Sequence, residues 1–169
     1  HKNADIVDEL IRIGRGVDIG TNLGHETRRS IAYSLCNLSA SPSNLPAIVE
    51  LGGLDLIIFL GRKGRKDSDG ASSNVCDDND CADNDLTASL ATIKKIAASN
   101  PEYRGHLVST GALDIIDLGI KRRLDSCGQQ AVAAGSGHQR PLLVVELACS
   151  IMYLLSLNEH NKVSMLEHS

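Results

Sequence analysis

A chain of 169 residues with a formal net charge of -4 is long enough to bury roughly 70% of its unfolded surface in one domain. Its 42% hydrophobic content includes only 2% aromatic residues, with no Trp and one Phe, so its core is expected from Leu, Ile, Val and Ala. This argues against base stacking on aromatic platforms, and the small net charge argues against an electrostatic nucleic-acid binder.

Lys2 to Arg15 carry Ile6, Val7, Leu10, Ile11 and Ile13, a pattern that predicts a helix. It is expected to be the second helix of a repeat whose first helix is missing. The segment from Gly16 to Gly24 is expected to be a Gly-rich connection, with Gly14, Gly16 and Gly20 forming GxGxxxG. A phosphate-binding loop of that kind follows a strand, whereas here a helix precedes it, so a turn is expected. Ile31, Leu35 and Leu38, with small Ala32 and Ser39 beside them, then predict a helix buried along one stripe.

Ser41-Pro42-Ser43-Asn44 breaks that helix, and Asn44 is expected to cap a short one carrying Ala47, Ile48 and Val49. Gly52-Gly53 suits its C-terminus, and a further helix follows with Leu54, Leu56, Ile57, Ile58 and Leu60. Residues 61–85 are almost devoid of apolar side chains and are expected to be an inserted loop. Arg62, Lys63, Arg65 and Lys66 within it match a basic targeting or nucleic-acid patch, but also cations placed at a helix C-terminus. Its acidic half offers Asp67, Asp69, Asp77, Asp78, Asp80, Asp83 and Asp85 with Cys76 and Cys81. No register there gives the Gly and Glu of a calcium loop, and no His joins the two cysteines for zinc, so no metal is expected.

Asn84 or Asp85 is expected to cap a long helix, Leu86 to Ala98, with the stripe Leu86, Leu90, Ile93 and Ala97. Asn100-Pro101 starts the next short helix, which Gly111 ends. Leu113, Ile115, Ile116, Leu118 and Ile120 predict another helix, and residues 121–139 a second inserted loop. Pro141 opens a last long helix that is apolar nearly all round and must be covered on several sides.

The parts recur. Asn37-Leu38-Ser39 matches Lys95-Ile96-Ala97 and Leu154-Leu155-Ser156; Ile48-Val49-Glu50 matches Leu107-Val108-Ser109 and Met165-Leu166-Glu167; Gly52-Gly53-Leu54 matches Gly111-Ala112-Leu113. The matched blocks lie 58 or 59 positions apart. Units that cannot bury their own apolar face must stack on neighbours, so the expectation is an all-α helical solenoid. The order of parts, with Ile-Val-Glu-x-Gly-Gly-Leu closing a short first helix and Asn-Leu-Ser closing a long third one, resembles the armadillo repeat family. That resemblance covers most of the chain and implies a right-handed alpha-alpha superhelix with two long inserted loops. The expected units are a partial repeat at 1–41, repeats at 42–99 and 100–157, and the start of another at 158–169.

Catalytic constellations are missing from the sequence. The six histidines, His1, His25, His106, His138, His160 and His168, are scattered, with no HExxH, GxSxG or GK[ST] motif; Cys127 and His138 share an insert that nothing holds together. Neither an enzyme nor a cofactor is expected. The odd count of five cysteines, with Cys36 and Cys149 inside helical patterns, favours reduced thiols and a cytoplasmic or nuclear setting. No signal-peptide pattern occurs, and no apolar run reaches the roughly 18 residues of a membrane span.

The armadillo resemblance implies that third helices line a groove for an extended segment of a partner protein. Importin-alpha-like repeats carry a Trp and, four residues later, an Asn there; Tyr33 and Asn37 match those positions, on one face by their i, i+4 spacing. An Asn amide both donates to and accepts from a peptide backbone. The same positions become Ala91 and Lys95, then Ser150 and Leu154. Lys95, with Arg28 or Arg29, suits an acidic or mixed peptide, closer to beta-catenin-like grooves, although Lys94 and Lys95 also fit a solvated face. The expected function is a non-catalytic protein-interaction scaffold, flanked by further armadillo repeats and contacting neither nucleic acid nor membrane. The alternatives are an importin-like transport adaptor, a regulator of an enzyme or small GTPase, and a rigid spacer.

Overall fold

The computed structural model describes residues 2–16, 22–62, 78–130 and 141–168. Among them the regular elements are all helical: α1 (Lys2–Gly16), α2 (Asn22–Leu38), α3 (Leu45–Glu50), α4 (Gly53–Arg62), α5 (Asp78–Ser99), α6 (Pro101–Thr110), α7 (Ala112–Gln130), α8 (Pro141–Ser156) and α9 (Glu159–Glu167), with a 3₁₀ turn at Pro42–Asn44 ahead of α3.

Local chemistry sets several boundaries. The Asn100 carboxamide accepts a hydrogen bond from the Glu102 amide at 3.0 Å, and Pro101 occupies the first turn of α6. Asn158 accepts from His160 in the same way at 3.0 Å to start α9. Gly52 and Gly111 lie at φ +78° and +98°, where a side chain is strained. They turn the chain sharply: the segments Pro42–Glu50 and Gly53–Arg62 meet at 85°.

Four expectations need correction. Asp85 does not cap a helix, and neither does Asn84: α5 begins at Asp78, and Asp85 lies inside it, buried and ion-paired with Arg28 of α2 at 3.2 Å. A buried carboxylate needs that partner, so the helix continues through residues whose polarity had indicated loop. The second insert also shrinks, because α7 runs on to Gln130, supported at its polar end by the Asp117–Lys121 pair at 2.7 Å. What is left of the inserts, residues 63–77 and 131–140, lies outside the described residues, together with Asp67, Asp69 and Asp77 of the acidic cluster, whereas Asp78, Asp80, Asp83 and Asp85 fall within α5. Third, α1 includes Gly16 and α2 already includes Gly24, so only residues 17–21 separate them. Last, Asn44 makes no capping bond; its amide donates instead to the Leu38 carbonyl at 3.0 Å.

The helices pack in a repeating order. α2 lies on α5 and α5 on α8; α1 lies on α4 and α4 on α7; α6 lies on α9. The pairs α1 with α2, α4 with α5 and α7 with α8 are also in contact, as are α3 with α4 and α6 with α7. One apolar cluster runs through all of this, from Val7 and Ile11 through Leu35, Ile57, Leu90 and Ile115 to Ile151 and Leu155. Two matched glycines allow the close approach of neighbouring layers. A Cβ on Gly14 would strike Leu56 of α4, and one on Gly61 would strike Ile115 of α7.

Candidate functional site

The stacking places the three long helices α2, α5 and α8 next to one another, and all six residues expected in a groove lie on them. None is buried. Tyr33 is 42% exposed and Asn37 is exposed, while Ala91, Lys95, Ser150 and Leu154 are half-buried. The Asn37 carboxamide makes no hydrogen bond among the described residues, so its donors and acceptor face outward. Lys95 is different: its ammonium donates to the Cys36 carbonyl at 2.6 Å and lies 3.6 Å from the Cys36 sulfur. It therefore sits on the edge of α5 turned toward α2.

Burial defines an open stripe that follows one register along all three helices and the turns that end α2 and α8: Arg29, Tyr33, Cys36 and Ala40; then Thr87, Ala91, Lys94 and Ala98; then Glu146, Ser150, Tyr153 and Leu157. None of the twelve is buried, and each run keeps the i, i+4, i+7 spacing of a single helical face. Tyr33, Ala91 and Ser150 share one level of it. The sequence pointed to these three but not to Tyr153 of α8, which at 65% is more exposed than Tyr33. Its only signal was its spacing of three from Ser150, hidden in a helix apolar on nearly every side.

The neighbouring faces of the same helices are sealed. Arg28 and Asp85 are 4% and 2% exposed and join α2 to α5. One repeat further on, the same two places are taken by Leu86 and Val144, whose side chains lie with Leu90 around Gly119. The site thus changes from an ion pair to an aliphatic contact between one layer and the next.

Each corner where a long helix gives way to a short one is closed by a side-chain donor. Asn44 donates to Leu38, Arg104 to the Ala97 carbonyl at 2.9 Å, and Asn161 to the Leu155 carbonyl at 3.1 Å. Helix C-termini leave such carbonyls without intrahelical partners, and three different residues meet the same need. At the other end of the layer, Arg15 reaches the Gly52 carbonyl at 3.5 Å and Arg62 pairs with Asp114. Arg15 and Arg62, each in the last turn of its helix, are therefore placed against the turn of the next layer.

Among the described residues, no three His, Cys, Asp or Glu side chains come together in a way that would hold a metal ion, and Cys36 and Cys149 are free thiols. No single described helix is long and apolar enough to cross a membrane. No family model, curated protein or solved structure matches the chain.

Proposed function

We propose that the chain is a segment of an armadillo-type helical solenoid and acts as a non-catalytic scaffold, holding an extended, acidic or mixed segment of a partner protein along α2, α5 and α8. One observation carries this reading: each helix packs on its counterpart one repeat later, α1 on α4 on α7, α2 on α5 on α8, and α6 on α9. Stacked repeats bind through such extended surfaces. The open stripe gives an extended peptide Tyr33 and Tyr153 to lie on and Lys94 to attract carboxylates, and beside it the unspent Asn37 amide is there to clamp the backbone, with Lys95, held against the Cys36 carbonyl, as a second cation.

The test is a fluorescence-anisotropy titration at physiological salt with a labelled, extended Asp/Glu-containing peptide, and with a Lys/Arg-rich peptide for comparison. The acidic peptide binds, and Asn37→Ala combined with Lys95→Glu weakens it by about tenfold or more, on the order of 1.4 kcal/mol. Unchanged affinity in that variant removes the groove from consideration. Preference for the basic peptide would support the importin-like reading, against which Lys94 and Lys95 stand.

A further inference from the structure

α5 is covered on both sides, by α2 and by α8, and its share of the open stripe, Thr87, Ala91, Lys94 and Ala98, is nevertheless unburied. The matching places on α8 and the turn after it are Glu146, Ser150, Tyr153 and Leu157. Their exposure comes from the side of the helix they occupy, and a further layer stacked on α8 as α8 stacks on α5 would leave that side open.

Opposite charges stand unanswered on this stripe. Lys94 on α5 is half-buried and Glu146 on α8 is exposed, and neither makes an ion pair or a side-chain hydrogen bond among the described residues. Lys95 adds a cation next to Lys94, its ammonium held by the Cys36 carbonyl, which is a dipole and not a countercharge. The groove is therefore cationic along the second half of α5 and anionic on the first half of α8.

The separation of these charges follows from the packing. α5 and α8 run in the same direction: Val144 lies beside Leu86 and Leu90 around Gly119, and at the far end Arg104 bonds Ala97 while Asn161 bonds both Arg104 and Leu155. Lys94 is level with Tyr153, and Glu146 stands two turns ahead of Tyr153 on α8. Two turns of helix rise about 10 Å and neighbouring axes lie about 8–10 Å apart, so the two charged positions are roughly 13–15 Å from each other. An extended chain at about 3.3 Å per residue spans that distance between positions i and i+4, whose side chains point to the same face. Position i+2 then faces the stripe midway, where Ala91 and Ser150 are small and leave room for a large side chain.

We infer that the groove selects an extended segment with one charge pattern: a carboxylate side chain over Lys94 and Lys95, a bulky apolar side chain over Ala91 and Ser150, and a cationic side chain over Glu146, the two charges at i and i+4. The inference rests on the groove reading given under Proposed function and narrows its acidic or mixed segment to this arrangement. A purely acidic segment meets repulsion from Glu146, and a purely basic one meets it from Lys94 and Lys95.

Fluorescence anisotropy on the full chain at low ionic strength, where exposed charges are least screened, tests it. Three labelled peptides share a central Leu: one carries Asp and Lys at i and i+4 around it, one has Glu in place of that Lys, and one has the Asp and Lys adjacent. The spaced mixed peptide binds most tightly, by about two- to fivefold over each of the others, the range of an exposed charge pair. In Glu146→Lys, an exposed site whose change leaves helical circular dichroism as it was, the order inverts and the all-acidic peptide binds more tightly than the spaced mixed one. A chain that binds all three peptides equally, or a Glu146→Lys variant that keeps the original order, overturns the inference and leaves the groove in place. Binding of none of the three overturns the groove reading and the inference together.

Discussion

α5 and α8 carry matching sequence blocks 59 positions apart, Lys95-Ile96-Ala97 and Leu154-Leu155-Ser156, yet they live in different surroundings. α5 has α2 on one side and α8 on the other, and its stripe Leu86, Leu90, Ile93 and Ala97 is sealed. α8 is richer in apolar residues, but Leu143, Val145 and Tyr153 are between 39% and 65% exposed. Burial in this architecture is decided by the presence of a neighbouring layer and only secondarily by residue type. A position's importance to stability therefore depends on whether another helix covers its face.

Breaking the α2–α5 interface has the largest expected effect. Asp85→Ala leaves the Arg28 guanidinium in a sealed site without its carboxylate and is expected to cost about 3–5 kcal/mol in urea denaturation. Arg28→Leu with Asp85→Val installs the pair found one layer on, and its stability should fall within about 1 kcal/mol of the starting protein or above it. If the double variant is as unstable as the single one, the two interfaces are not equivalent.

A direct contrast between the helices comes next. Leu90→Ala opens a cavity at a site with 0% exposure and should cost about 2–5 kcal/mol, whereas Cys149→Ala, the matching change on α8, should stay within about 0.5 kcal/mol. Equal costs would mean that α8 is covered as α5 is. Gly111→Ala is expected to cost less than Leu90→Ala, at roughly 1–2 kcal/mol, because φ of +98° strains any side chain and the new Cβ meets the Arg62 guanidinium. Thermal unfolding followed by circular dichroism resolves it.

The sequence carried much of this arrangement. Periodicity placed the core stripes, and Asn100-Pro101 with Gly111 bounded α6 within a residue, because capping and αL turns are local chemistry. What it hid was non-local. Asp85 looked like a cap since nothing in the sequence reveals that Arg28, 57 positions away, holds it buried in mid-helix. Asn44 looked like a cap for the same reason: its amide reaches back to Leu38 across a corner that exists only once the helices have packed. Residues 121–130 looked like loop because polar helix formers carry no apolar period. In the candidate site, Tyr33 and Asn37 were legible from their spacing, but the tethering of Lys95 to Cys36 and the openness of Tyr153 depend on which helix faces which.

The central claim is that α2, α5 and α8 lie side by side and present one common stripe, and an electron-spin distance between labels at Tyr33→Cys and Ser150→Cys in an otherwise cysteine-free chain tests it most directly. Two helix-to-helix steps of about 8–10 Å place the two backbones roughly 16–20 Å apart. A single narrow distribution near 20 Å is the result this account predicts. A distribution centred well beyond about 35 Å, or one spread across the whole range, would contradict it.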